Sequence, residues 1–274
     1  MTNSPTGINR FGLEGKTALI TGSAQRMGFE ISQILCKEGM KVAIVDIQKG
    51  LGNKAAKTLN DSGGIADFFY VDLSSKDSIF KMVNEVASKF GSIDLLVNNA
   101  RAPRTNSDDF MCMDDWDPSM SVMLSASYYC SIAVIPYMEK IKSGSIVNIS
   151  SIASTNVCGL SAGYHVAKAG LNQLTKYLAL HAGKKGVRVN AVAPGLIIKE
   201  EGKERFEKNL ADKARWEWCH PLGKSGTGED VGNAICFLAS DMSKFITGQV
   251  LTVDGGLTLA DQGFLVKEFA EKEK

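Results

Sequence analysis

Along most of the chain, apolar runs of strand length alternate with stretches in which apolar residues return every three or four positions. KTALITG (16–22), MGFEISQILCKEG (27–39) and KVAIVDI (41–47) read as strand, helix and strand. The order continues through IADFFYVDL (65–73), a helix near 75–90, DLLVNNA (94–100), a helix near 116–140, GSIVNISS (144–151), a helix near 162–183 and VRVNAVAPG (187–195). Val, Ile and Leu stand at consecutive strand positions, as expected where both faces of a sheet are covered. The pattern predicts an α/β fold: a single Rossmann-type domain whose doubly wound, mostly parallel sheet of about seven strands carries helices on both faces.

After the sixth strand, the charged KEEGKERFEKNLADKARWEW (199–218) reads as one or two amphipathic helices, and 199–220 as a substrate lid. GEDVGNAICFLAS (228–240) and QVLTVDGG (249–256) supply a last helix and strand. The domain is expected over 13–260, between a tail at 1–12 and a charged tail at 261–274.

Lys and Arg number 31 against 30 Asp and Glu, so no global field draws the chain to nucleic acid or an acidic membrane. A small-molecule partner or another protein fits this balance. The six cysteines are scattered, without the close pairs of a zinc site or a disulfide framework, so no metal is expected. MTNSPTGINR at the start lacks the apolar stretch of a signal peptide, and no run of about 18 apolar residues suggests a membrane span. The expected compartment is the cytoplasm.

The first candidate chemistry lies in TGSAQRMG (21–28), a glycine turn between strand and helix, with Asp46 following Gly28 by 18 residues. That context makes a glycine motif meaningful for a dinucleotide. Gly22 allows the tight turn, Gly28 allows the helix to pack closely, and the helix N-terminus offers free N–H groups to a pyrophosphate. Asp46 ends the second strand, where a carboxylate can accept both hydroxyls of an adenosine ribose and repels a 2′-phosphate, so the expected cofactor is NAD. A helix N-cap at Asp46 is the weaker alternative, since Gly50 and Gly52 are expected to delay the next helix. Asp72 either meets the adenine edge or caps the helix starting near Ser74.

Ser151, Tyr164 and Lys168 form the second constellation, within SSIASTNVCGLSAGYHVAK. Tyr164 and Lys168 share one helical face, and Ser151 lies at the carboxyl end of the fifth strand, where α/β folds place ligands. Oxidising an alcohol by hydride loss needs a base, yet tyrosine titrates near 10. Bringing it towards 7 takes about 4 kcal/mol, which the Lys168 ammonium and the positive oxidised nicotinamide could supply in a partly desolvated site. Ser151 would hold and polarise the substrate oxygen.

These features, with NNA (98–100), NAVAPG (190–195) and EDVGNAICFLASD…ITGQVLTVDGG (229–256), resemble the short-chain dehydrogenase/reductase family from about Leu13 to Gly256. The resemblance implies an NAD(P)-dependent oxidoreductase of alcohols and carbonyls, assembled as a tetramer or dimer. It implies dinucleotide contacts from Gly22, Ser23, Gln25, Arg26 and Met27 in the turn, and from Asp46 and Ile47. Asp72 and Leu73, Asn99 and Ala100, and Pro194, Gly195 and Ile197 complete them at successive strand ends. Tyr164 and Lys168 also face the cofactor, Lys168 by a hydrogen bond to the nicotinamide ribose.

The chain departs from the family in three places. Arg26 replaces the second glycine of the T-G-x-x-x-G-x-G turn, and a cation there opposes the helix dipole unless an anion compensates it. Met123 stands where an asparagine usually supports a proton relay behind the lysine, and methionine is a poor hydrogen-bonding partner. Arg101 replaces a glycine and Lys199 a threonine. With Arg104 and His165 nearby in sequence, Arg26, Arg101 and Lys199 predict a cationic cleft for a substrate bearing a carboxylate, phosphate or sulfonate. Arg101, Ser151, His165 and Lys199 are the candidate substrate residues. A pteridine-reductase-like reductase of C=N bonds, favoured by Arg26, and a catalytically silent NAD-binding regulator, suggested by Met123, are the alternatives.

Overall fold

The computed structural model describes residues 10–103, 113–261 and 263–264. Strand and helix alternate from β1 (Thr17–Thr21), α1 (Arg26–Lys37), β2 (Lys41–Asp46), α2 (Lys49–Asp61) and β3 (Ile65–Tyr70) to α3 (Lys76–Phe90) and β4 (Leu95–Asn98). A helical run follows: a 3₁₀ turn at Met113–Asp115, α4 (Trp116–Ser119), a π-helical stretch at Met120–Ser125, and α5 (Ala126–Lys140). Then come β5 (Gly144–Ile149), α6 (Ala162–Ala182), β6 (Val187–Pro194), α7 (Glu200–Lys208), α8 (Leu210–Cys219), α9 (Gly228–Ala239) and β7 (Val250–Val253). The expected lid is therefore two helices.

The strands form one seven-stranded sheet in the order β3-β2-β1-β4-β5-β6-β7, with every pairing parallel. Alternate residues of each strand enter opposite cores. Ala18, Ile20, Val42 and Ile44 pack with Ile31, Leu35, Leu59 and Ile235 of α1, α2 and α9. Leu19, Ala43 and Val45 pack with Met82, Val86, Cys130, Met138 and Leu178 of α3, α5 and α6. Such burial, roughly 1.5–3 kcal/mol for each large aliphatic side chain, is what holds the strand ends in a fixed array. The chain order reverses between β1 and β4, which opens a crevice at their carboxyl ends.

Two expectations change here. Gly50 and Gly52 do not delay a helix: α2 starts at Lys49 and runs through both. Gly52 is where the helix lies against Phe68 of β3, and a Cβ would collide with that ring. The helix Met113–Lys140 is long and apolar enough to cross a membrane by length and composition, although no such run was expected; half of its most apolar window is buried. Its α5 portion packs against α3, β4 and β5, so much of that apolarity belongs to the core.

Candidate active site

All the strand ends singled out in the sequence meet at the carboxyl edge of the sheet. In the turn after β1, Gly22 has φ 64°, and a Cβ there would come 2.7 Å from Ala100 Cα. At Gly28 a Cβ would strike the Gly22 carbonyl oxygen and come 2.5 Å from Asn99 Nδ2. These contacts bring the first turn of α1 close to the sheet. Gln25, its N-cap, makes no side-chain cap, and the first turn carries no acidic residue, which suits a helix end built to receive an anion.

Several predicted cofactor residues shape this cradle through the fold itself. Ser23 is fully buried; its hydroxyl donates to the Ile20 carbonyl at 2.6 Å and accepts from the Val45 N–H at 3.0 Å. Asn99 Nδ2 donates to the Thr21 and Gly22 carbonyls at 2.9 and 3.0 Å. Asp46, 7% exposed, accepts from the Ala24 N–H at 3.2 Å and the Gln48 N–H at 3.0 Å. It does not cap α2, whose N-cap is Gln48. A carboxylate has about four acceptor sites, so Asp46 keeps capacity for a ribose diol.

Asp72 bonds Ser74 through both the N–H and the hydroxyl, at 2.9 and 2.7 Å, and these bonds lower its pKa. The cap of α3 is Ser75 instead, accepting from Ser78 N–H. Ile47 is exposed beside Asp46, while Leu73 packs against the core. Met27 likewise packs against core residues. Pro194 ends β6 and Gly195 follows it, its N–H donating to the Val253 carbonyl at 3.0 Å, and Ile197 bridges to Gly226.

Beside this cradle, Ser151 follows β5 and is 8% exposed. Its Oγ accepts from the Ala153 N–H at 3.1 Å. Around it run bonds that sequence reasoning missed: Ser150 Oγ to Asn172 Oδ1 at 2.6 Å, Asn172 Nδ2 to Ser154 Oγ at 2.8 Å, and Ser154 Oγ to the Ser151 carbonyl at 2.6 Å. Asn172 lies one helical turn beyond Lys168, the one sequence signal for it. The Lys168 ammonium is buried, donates to the Ile149 carbonyl at 2.5 Å and lies 5.7 Å from the Tyr164 ring centroid. Burial, and secondarily the Arg101 guanidinium, bring its pKa down to about 7. Arg101 Cζ sits over the Tyr164 ring, 4.7 Å from its centroid.

This geometry can be set beside known proteins. The family model described as enoyl-(acyl carrier protein) reductase matches residues 22–258. The 3-oxoacyl-[acyl-carrier-protein] reductase FabG of Chlamydia muridarum is 38% identical over 248 residues, 89% of this chain and 98% of that protein. The chain belongs to the short-chain dehydrogenase/reductase family. A 7alpha-hydroxysteroid dehydrogenase of Clostridium sardiniense is 35% identical over 90% of this chain and 95% of that one. A solved gluconate 5-dehydrogenase from Burkholderia cenocepacia, in complex with NADP and tartrate, matches with a TM-score of 0.82 at 31% identity, covering 90% of this chain and 97% of that one. This short-chain dehydrogenase/reductase is thus an oxidoreductase, of a family that binds a nicotinamide cofactor, acts on small molecules and is commonly oligomeric.

Its departures from the family pattern now have physical accounts. Arg26 has φ 54°, the left-handed conformation a glycine would adopt freely and which costs another residue roughly 1–2 kcal/mol. Its compensating anion comes from the protein: Arg26 N–H donates to Glu201 Oε1 at 3.2 Å, and Nε pairs with Glu201 Oε2 at 3.5 Å. The Glu200 N–H donates to Glu30 at 3.1 Å, so the start of α7 is tied to α1 twice.

Met123 is buried in the π-helical stretch, and its carbonyl accepts from Ser127 Oγ at 2.9 Å. Behind it, Asn98 bonds Asn148 at 2.8 Å and Asn148 bonds Thr175 at 2.9 Å. Met123 fills core space.

Of the expected cationic cleft, Arg26 and Arg101 both act electrostatically on Lys199. The pKa of the half-buried Lys199 is lowered by burial first, then by Arg26 and Arg101. His165 is spent within its own loop: Nδ1 bonds the Ser161 carbonyl at 2.9 Å and Nε2 accepts the Cys158 N–H at 3.1 Å. Arg104 lies outside the described residues.

Proposed function

We propose that this protein interconverts a secondary alcohol and a ketone with NAD as cofactor, on a hydroxy substrate that carries an anionic group. What supports this reading is Lys168, which lies 5.7 Å from the Tyr164 ring centroid and donates to the Ile149 carbonyl, two residues before Ser151, beside a glycine cradle next to the buried Asp46. The closeness of a Cβ at Gly22 or Gly28 to Ala100 and Asn99 and the uncapped start of α1 fit a dinucleotide. The Gly22–Met27 turn would hold the pyrophosphate, Asp46 the adenosine ribose, and Lys168 the nicotinamide ribose. The nicotinamide, when bound, accepts hydride in oxidation and gives it in reduction.

The chain's own residues handle the proton. Ser151 Oγ donates to the substrate oxygen and fixes its place. In oxidation Tyr164 takes the hydroxyl proton as that oxygen becomes a carbonyl, and in reduction it returns the proton to the nascent alkoxide. Arg101 Cζ and Lys168 Nζ lie 4.7 and 5.7 Å from the centroid of the Tyr164 ring, beside the group that handles the proton. NAD is preferred over NADP because Asp46 is a fixed carboxylate where a 2′-phosphate would lie. The NADP-bound gluconate 5-dehydrogenase makes that preference worth measuring directly, and its tartrate accords with an anionic hydroxy compound.

A homo-oligomer, tetramer or dimer, is part of the proposal. Tyr128 and Ile132 on α5, and Tyr177 and Leu180 on α6, leave apolar surface exposed. The pteridine-reductase-like reading loses support because Arg26 is engaged by Glu201, and the silent-regulator reading is disfavoured by the presence of Ser151, Tyr164 and Lys168 together.

The test is coupled oxidation of neutral and anionic secondary alcohols with NAD and with NADP. Tyr164→Phe is expected to lower kcat by about 10²–10⁴ with nucleotide affinity retained. Undiminished turnover in that variant overturns the mechanism, and a clear preference for NADP overturns the cofactor assignment.

A further inference from the structure

We propose that Arg101 receives the substrate's anionic group, and that this group is a carboxylate a few bonds from the carbinol, making the substrate a short hydroxy acid. The inference rests on the oxidoreductase reading above. It starts from charge accounting at the site. Arg26 has Glu201, and Lys168 is committed to the Ile149 carbonyl. Arg101 and Lys199 have no carboxylate within ion-pair distance among the described residues. Among the described residues, then, the Arg101 guanidinium faces the Lys168 amine with no carboxylate between them, and an entering anion would relieve that repulsion.

Geometry then selects the kind of anion and its distance from the reacting carbon. The guanidinium covers one face of the Tyr164 ring at 4.7 Å, and its N–H groups make no hydrogen bond among the described residues. A planar fork of donors matches a carboxylate or a phosphate in a bidentate manner, and of the two we take the smaller, planar carboxylate. Charge-assisted bonds of about 2.8 Å leave such a carboxylate near Tyr164, hence near the carbon whose oxygen Tyr164 protonates. A long spacer between acid and carbinol does not fit so close a pairing. The half-buried Lys199, whose pKa is itself lowered partly by Arg101, adds positive potential from the base of α7.

The test compares 3-hydroxybutyrate and glycerate with butan-2-ol, and with glycerol 3-phosphate as the phosphate counterpart, in the wild type, Arg101→Gln and Arg101→Lys. The wild type is expected to favour the hydroxy acids in kcat/KM. Arg101→Gln should cut that preference on the order of a hundredfold, chiefly through KM, with Arg101→Lys restoring part of it. Equal losses on the acid and on butan-2-ol would overturn the proposal, leaving Arg101 to act on Tyr164 alone. A wild type preferring glycerol 3-phosphate would overturn the carboxylate.

If no alcohol turns over, the oxidoreductase reading fails by itself. Calorimetric titration of the NAD-loaded protein with 3-hydroxybutyrate still decides the anion site. Binding lost in Arg101→Gln supports it, and absence of binding to the wild type overturns it.

Discussion

The β5–α6 junction and the α7–α8 segment both border the carboxyl end of the sheet, but they are held by different forces. At the junction, bonds of 2.6–2.8 Å run from Ser150 through Asn172 and Ser154 to the Ser151 carbonyl, and the buried Lys168 donates to the Ile149 carbonyl at 2.5 Å. Along α7 and α8, the contacts are ion pairs on largely exposed side chains: Arg26–Glu201, Lys203–Glu200, Lys208–Glu204, and Lys213 with Glu207 and Glu217. Buried bonds are costly to break because a polar group is left without water. Exposed pairs are screened and worth little each. The first region is therefore held more firmly than the second, as the proposed catalytic and lid roles require.

That contrast is sharpest at Lys168. Its pKa in the folded protein, about 7, lies below the ordinary 10.5. Between these values the unfolded chain binds a proton that the folded chain does not, so stability rises with pH across the window and is lowest below it. Relative to Lys168→Met, the wild type should gain up to roughly 4 kcal/mol between about pH 7 and about pH 10, read from urea midpoints. Parallel pH profiles in the two proteins would show that the amine is not desolvated.

A smaller effect is expected at Asn172. Asn172→Ala removes the link between Ser150 and Ser154 and should cost about 1–3 kcal/mol of stability, with kcat falling more than KM rises as Ser151 loses its brace. Unchanged kcat would make the network purely structural. The smallest effect belongs to the tie at α7. Glu201→Gln should change global stability by less than about 1 kcal/mol, yet quicken proteolytic cleavage within 199–220. A large drop in melting temperature would mean that this segment is part of the cooperative core.

Much of this was legible in the chain because it depends on neighbours in sequence. Strand and helix periods, the glycine turn and the four-residue step from Tyr164 to Lys168 all follow from local backbone geometry. Local signals also failed where packing outweighed them. Gly50 and Gly52 suggested a late helix, but Gly52 is needed for contact with Phe68. His165 was expected near the cationic cleft, but the preceding loop engages both of its ring nitrogens. Asn172 carried no mark beyond its spacing from Lys168.

By itself, the sequence determined a doubly wound parallel sheet, and it supplied the three residues proposed here for proton transfer. Only the tertiary structure decided which charges meet. Arg26 finds Glu201 across 175 residues of chain, and Arg101 reaches the face of Tyr164 from another strand end. Periodicity reports the surroundings of a residue within a turn or a pleat. Electrostatic pairing is set by distances through space, which exist only once the sheet has brought its strand ends together.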